Sequence, residues 1–309
     1  MNLRRLKEYK LKPALKLVRD GKLLFLLGVL LEKVIGRNPH LWYLRRFRGG
    51  TTVELEIDGH RMLLDMSDKG ISRRLYIRGV HEVESSRVFL SELREISSVT
   101  SGSVNVIEVG ANIGYYVLKE AEVVDGRARI HAFEPSPSNR RLLERNVEMN
   151  GYSDMVEVVP KAVGDRNGKT TLAVSEQSNW NTVEADDTER DDIVGVIEVE
   201  MTTLGSYLDE QGIQSNSVNA IRMDIEGYET EVVPTLKDIL KSSENIVLFI
   251  EIHPDDIGES EVDSLISIFE DRGFRLLHAS QHRRDINVTS LSQLSDVGGS
   301  HIRMVLSKR

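Results

Sequence analysis

The 309-residue sequence contains no cysteine, which excludes disulfides, thiolate metal sites and thiol nucleophiles. That composition fits a reducing compartment. No apolar run approaches the roughly 18 residues that a helix needs to cross a bilayer. No signal-peptide cleavage pattern is found either, so a cytoplasmic protein is expected. Internal repeats and low-complexity tracts are also missing. What remains is ordinary for a globular chain: 40% hydrophobic and 29% charged residues, enough to bury a real core. The length suits one large domain with an appendage, or two modest domains.

Charge is scarce in net terms (−9) but unevenly divided. Residues 1–50 hold thirteen Lys or Arg against Glu8, Asp20 and Glu32, a balance of +10, which leaves −19 for the rest. A body that acidic is not expected to bind nucleic acid. Within the basic segment, Leu11, Leu15 and Val18 share a helical face bordered by Lys12, Lys16 and Arg19. Gly21 interrupts that helix. Leu23 to Leu31 is nearly all apolar and runs on as helix through Lys33 to Ile35, with Gly36 placed as a cap and Pro39 beyond. Arg45, Arg46 and Arg48 then follow Trp42 and Tyr43. Two readings stay open: peripheral contact with a membrane interface, or a helical hairpin packed on the main domain or on a second copy.

Thr51 to Ile57 alternates as a strand, Asp58-Gly59 is a turn, and Arg61 to Asp65 returns as a hairpin. The stretch from Gly70 to Gly79 shows no clear pattern, and Val83 to Ile96 reads as helix. From Val104 onward strands and helices alternate. Strands are predicted near 104–109, 128–133, 155–160, 219–223, 246–251, 274–278 and 301–307, and helices near 114–124, 137–150, 229–240 and 261–272. Glu184 to Asp192 is an acidic loop. This rhythm defines an α/β fold, a doubly wound, mainly parallel sheet of seven strands. The expected organisation is a helical extension over residues 1–50, a hairpin and helix over 51–100, and the α/β domain over 101–309.

The first strand of that sheet, Val104 to Val109, runs into Gly110-Ala111-Asn112-Ile113-Gly114. Glycines there let the backbone turn tightly at the mouth of a nucleotide-type site. Asn112 stands where a dinucleotide fingerprint has the glycine that admits a pyrophosphate, which favours a nucleoside ligand without phosphates. Glu134 ends the second strand, placed to accept hydrogen bonds from both ribose hydroxyls; the plainer alternative is a cap for the helix near Pro137.

Five motifs in order resemble the FkbM-type methyltransferases. Val106 to Gly114 is similar to their first motif, Phe133-Glu134-Pro135-Ser136-Pro137 with Leu143 to Asn150 to the second, and Ala162-Val163-Gly164-Asp165 to the segment after their third strand. Ile221 to Glu229 resembles the K-x-D-x-E-G-x-E signature, and Glu251-Ile252-His253-Pro254 the motif after the fifth strand. The resemblance runs from about Glu82 to about residue 280. The chain departs from the pattern at Glu108 (usually Asp), Arg222 (usually Lys) and Gly205 (usually Asp). The resemblance implies a class I, Rossmann-like fold and S-adenosylmethionine as methyl donor. Glu108 would orient the turn, Gly110, Asn112 and Gly114 would line the methionine end and ribose, and Glu134 would hold the ribose. The backbone near Ala162 would meet adenine, and Asp224 would also lie beside the cofactor.

Asp224 and Glu226 sit two apart at one strand end, and Glu251 and His253 two apart at another, so in extended geometry each pair shares a face. If the strands are neighbours, three carboxylates and an imidazole converge at the carboxyl edge of the sheet, where open α/β folds bind ligands. One reading makes Asp224 or His253 a general base, with Glu226 and Glu251 orienting the acceptor. The other places a divalent cation, Mg²⁺ or Mn²⁺, on Asp224, Glu226, Glu251 and His253. The expected function is O-methylation of a saccharide, glycolipid or related intermediate, with the acceptor carried free or on a lipid. The alternatives are an NAD-dependent oxidoreductase on the same fold, disfavoured by Asn112, and a non-catalytic membrane-tethered binding protein.

Overall fold

The structure, a computed structural model, describes residues 22–35, 38–124, 126–183, 192–254, 258–281, 284–286, 288–294, 297 and 301–309. The helix expected around Leu11, Leu15 and Val18, the break at Gly21, the Gly36 cap and all but the last residue of the acidic loop lie outside the described residues. The chain divides into two compact units, Met1–His81 and Glu82–Arg309. The helix Val83–Val99, grouped above with the hairpin, therefore belongs to the larger unit, where Phe89 meets Phe249 of the main sheet.

In the smaller unit, the helix Leu23–Ile35 buries Phe25 against the rings of His40 and Tyr76. Asn38 caps the next helix, Pro39–Tyr43, by accepting from the backbone of His40 and Leu41; Pro39 fits its first turn, where an N–H has no partner. One π-turn, Leu44–Arg48, follows and ends at Gly49. Strands β1 (Thr52–Ile57) and β2 (His60–Asp65) pair antiparallel, joined by Asp58 and Gly59 at φ +50° and +89° as a tight hairpin needs. The unpatterned stretch beyond is a helix, Ile71–Arg78, entered through Asp68, whose carboxylate accepts from Gly70 N and Ser72 N.

The larger unit carries the twelve remaining strands: β3 (Val104–Val109), β4 (Ala128–Phe133), β5 (Val156–Val159), β6 (Lys161–Val163), β7 (Gly168–Ser175), β8 (Thr182–Val183), β9 (Ile193–Thr202), β10 (Val218–Met223), β11 (Ile246–Ile252), β12 (Arg275–Gln281), β13 (Arg284–Asp285) and β14 (Ile302–Lys308). The main sheet runs β13-β12-β14-β11-β10-β3-β4-β5. It holds the seven expected strands plus the two-residue β13 at one edge. The pairs among β11, β10, β3, β4 and β5 are parallel, whereas β14 lies antiparallel between β11 and β12. Every residue of β3, β10 and β11 is buried, as expected for strands covered on both faces. Three of those residues are charged, Glu108, Arg222 and Glu251, and buried charge needs a partner.

Three features of this unit were not anticipated. The described residues within 161–183 and 193–202 form a second sheet, β6-β9-β7-β8, in which β7 and β9 pair from Gly168 opposite Met201 to Ser175 opposite Ile193. A helix, Leu204–Gln211, follows, capped by Thr203 and ended by Gly212. The single helix expected at 229–240 is broken into Glu229–Val232, a 3₁₀ turn Val233–Leu236, and Lys237–Ser242. Pro234 lacks the N–H that a continuous helix requires.

Candidate active site

The glycine turn is fixed by sterics. At Gly110, φ is +82°, and a Cβ would lie 2.3 Å from the carbonyl oxygen of Asp224. Gly110 N and Ala111 N both donate to Phe133 O, tying the turn to the end of β4. Asn112 sits at φ +51°, a left-handed position that asparagine tolerates. At Gly114, where the helix Tyr115–Val123 starts, a Cβ would lie 2.7 Å from Leu143 Cδ1.

Glu134 closes the turn from the other side. Its Oε2 accepts from Asn112 N at 2.7 Å and its Oε1 from Ser136 N at 2.8 Å. Burial pushes its pKa up to about 7, against the pull of those backbone donors. Glu134 thus shapes the cradle besides facing it, and with the Asn139 side chain as a third donor its carboxylate still has capacity for one more.

Gly110, Asn112 and Glu134 line a cleft together with Ala162, Leu172, Asp224 and Glu226, whereas Gly114 stands outside its lining. One wall comes from the unanticipated sheet and the turn Ser178–Trp180. Ser178 O accepts from the side-chain amides of Asn112 and Asn139, both at 3.1 Å, which pins that wall over the glycine turn. Asn112 Oδ1 and Asn179 Oδ1 are buried without a protein hydrogen-bond partner, and both residues belong to the cleft lining. No local pattern in Ser178-Asn179-Trp180-Asn181 signals this role.

Behind the cleft the buried charges pair along the sheet register. Arg222 lies opposite Glu108 and bonds it at 2.8 Å. It also donates to Asp224 Oδ2 at 3.1 Å and stacks 3.7 Å from the Tyr116 ring centroid. Arg303 lies opposite Glu251 on β14, bonds it at 2.7 Å and stands 2.9 Å from Glu82. Glu82 in turn accepts from Tyr116 Oη at 2.7 Å. Glu120 is wholly buried beside Glu108, and burial, followed by that neighbouring carboxylate, pushes its pKa well above the ordinary range. The Glu108 side chain thus faces this network and is not part of the cleft lining.

The expected convergence of Asp224, Glu226, Glu251 and His253 is redistributed. Glu229 accepts from Ile225 N and Gly227 N and folds residues 224–227 into a turn with Glu226 at φ +55°. Asp224 and Glu226 therefore do not share an extended face. Asp224 turns to Arg222, whereas Glu226, Glu229 and Glu251 surround His253 at 3.6, 3.8 and 4.0 Å. Burial opposes the imidazolium, yet those three carboxylates outweigh it and hold the His253 pKa near 10. Glu251 and His253 are buried and stand outside the cleft lining, which includes Asp224 and Glu226. The grouping suited to a cation also changes. Ligand atoms of Glu251, His253 and His301 lie within 4.8 Å of one another, while the Asp224 carboxylate is held by Arg222. His301, Arg303, Glu82 and Tyr116 all went unread in the sequence.

A mainly parallel sheet with one inserted antiparallel strand, a glycine turn after its central strand and a carboxylate ending the next defines the class I methyltransferase fold. The sequence matches the methyltransferase FkbM domain over residues 108–276, more than half of the chain. The chain belongs to that family and is an S-adenosylmethionine-dependent methyltransferase. No curated protein matches the sequence. Among solved structures, TYW2 of P. horikoshii in complex with MeSAdo is 14% identical, with 84% of this chain and 71% of that chain covered and a TM-score of 0.43. An M. jannaschii tRNA m1G37 methyltransferase is 14% identical, with 84% and 55% covered and a TM-score of 0.42. A SAM-dependent methyltransferase from Agrobacterium tumefaciens is 9% identical, with 84% and 71% covered and a TM-score of 0.45.

Proposed function

We propose that this chain methylates a hydroxyl group of a saccharide, glycolipid or related biosynthetic intermediate, with Asp224 receiving the hydroxyl proton. The observation that carries the reading is the position of Asp224. Its Oδ2 is oriented by Arg222, its side chain is 24% exposed, and it lines the same cleft as the glycine turn and Glu134. The cleft suits the donor: Glu134 keeps capacity for a ribose hydroxyl, and Asn112 Oδ1 and Asn179 Oδ1 are buried acceptors without a protein partner. The Ala162 backbone offers the wall for adenine.

S-adenosylmethionine, when bound, supplies a methyl group on a sulfonium that departs with the carbon–sulfur electron pair. The acceptor oxygen forms the new bond to carbon, its proton passes to Asp224, and the products are an ether and S-adenosylhomocysteine. Asp224 must therefore align the hydroxyl as well as take its proton. Glu226, beside it in the cleft, positions the acceptor, and Glu251 and His253 support the turn from behind. The saccharide class rests on the family resemblance, and the acidic body of the chain favours it over nucleic acid.

A second reading of the proton step is supported by the grouping of Glu251, His253 and His301. A divalent cation there, Mg²⁺ or Mn²⁺, would sit behind the cleft lining beside Glu226 and act on the proton step through that carboxylate. Loss of turnover on chelation, restored by either ion, would favour it over Asp224 acting alone.

The test of the main reading is incubation of the purified chain with methyl-labelled cofactor and cell-extract fractions, with mass spectrometry of the product. Label on a sugar oxygen supports it. Label on nitrogen, carbon or nucleic acid overturns it.

A further inference from the structure

The helix Leu23–Ile35 is inverted relative to an ordinary surface helix. Its inward side carries Phe25, Gly28 and a charged residue, Glu32, which accepts from Asn38 and Arg73. Its exposed side carries Leu23, Leu24, Leu27, Leu30, Leu31 and Val34, at 39–79% exposure. At about 100° per residue those six positions span an arc of only about 120°. A face that is aliphatic throughout, with the carboxylate tucked behind it, is arranged for an apolar medium.

The same unit extends the pattern. Trp42 and Phe47 are 62% and 63% exposed and Tyr43 is 40% exposed, with ring contacts of Phe47 to both. Arg45, Arg46 and Arg48 are exposed among them, as is Lys33 on the helix. Glu32 is the single acidic residue between positions 22 and 50, and it faces inward. A leucine face, an aromatic cluster and cationic side chains without exposed carboxylates match the boundary between lipid tails and anionic headgroups. Thirteen residues of helix rise about 20 Å, short of the roughly 30 Å hydrocarbon core, so the helix can lie in that boundary but not cross it.

We infer that residues 23–48 are a docking surface for an anionic lipid bilayer. The uniformly positive charge of the exposed side chains selects this occupant over a second copy of the chain, whose equal charge would face it across a shared interface. The inference stands apart from the reading of the acceptor and does not depend on catalysis.

The test is co-sedimentation of the full chain with vesicles of phosphatidylcholine alone and with one third phosphatidylglycerol, at low and high salt. Binding is expected to the anionic vesicles and to weaken with salt. Leu27→Glu with Leu31→Glu should abolish it, and Arg45→Gln with Arg46→Gln and Arg48→Gln should weaken it about a hundredfold. Both variants alter exposed side chains, and unchanged circular dichroism would confirm their fold. Equal sedimentation with and without anionic lipid overturns the inference. So does a soluble dimer that Leu27→Glu with Leu31→Glu converts to monomer, because the leucine face would then be a protein interface.

Discussion

Replacing Arg222 by methionine probes the buried charge network most sharply. Arg222 is 4% exposed and holds two carboxylates, Glu108 at 2.8 Å and Asp224 at 3.1 Å, while stacking on Tyr116. Methionine fills much of the space but leaves Glu108 buried and unpaired, next to Glu120. Breaking a buried pair in this way costs about 3–5 kcal/mol. Adding Glu108→Gln removes the stranded charge and should recover most of that loss. Arg222→Lys keeps the charge and the residue type of the family signature but loses the planar fork and stacking, at a cost of about 1–3 kcal/mol. The assay is urea unfolding of the wild type, the two single variants and the double variant. Asp224 loses its orienting partner in the methionine variant, so kcat should fall more than cofactor affinity. A loss under about 1 kcal/mol for Arg222→Met, or no recovery with Glu108→Gln, would refute the pairing as the organising interaction.

Gly110→Ala forces a Cβ to 2.3 Å from Asp224 O at a left-handed φ. The strain of about 2–5 kcal/mol should appear in unfolding, with turnover lost through displacement of Asp224. Glu134 has a pKa near 7 in the folded protein against an ordinary 4.5. Because that pKa is raised, its contribution to stability is present below about 4.5 and lost as pH rises through 7. Binding of ribose hydroxyls to the carboxylate works the other way, so S-adenosylhomocysteine should bind more tightly at pH 8 than at pH 6, a dependence that calorimetry should find flattened in Glu134→Gln. Asp224→Asn should lower kcat by about 10²–10⁴-fold in a methyl-transfer assay, as for loss of a positioned base.

What the sequence made legible was local. The apolar runs of β3, β10 and β11, the glycine turn and the carboxylate at the end of β4 are short-range patterns, and each strand falls where its pattern predicts. Several of the misses depend on pairing between distant segments. Nothing near Glu82 or Arg303 announces that they meet across 221 positions, because the antiparallel register of β14 on β11 brings Arg303 beside Glu251. His301 joins His253 through the same strand. The second sheet was missed although β9 alternates Glu198 and Glu200 with Ile197, Val199 and Met201, because the acidic stretch beside it reads as loop. The sharing of a face by Asp224 and Glu226 assumed an extended chain, and Glu229 folds that stretch into a turn instead. Asp68 and Thr203 were readable helix caps in stretches with weak periodicity.

The most direct test is calorimetric titration of S-adenosylhomocysteine into the wild type, Glu134→Ala and Asp224→Asn. The geometry predicts one site per chain in the wild type, affinity weakened about thirtyfold or more in Glu134→Ala through lost charge-assisted hydrogen bonds, and affinity within a few-fold of wild type in Asp224→Asn. No binding to the wild type, or equal affinity in wild type and Glu134→Ala, would contradict the placement of the methyl donor against the glycine turn.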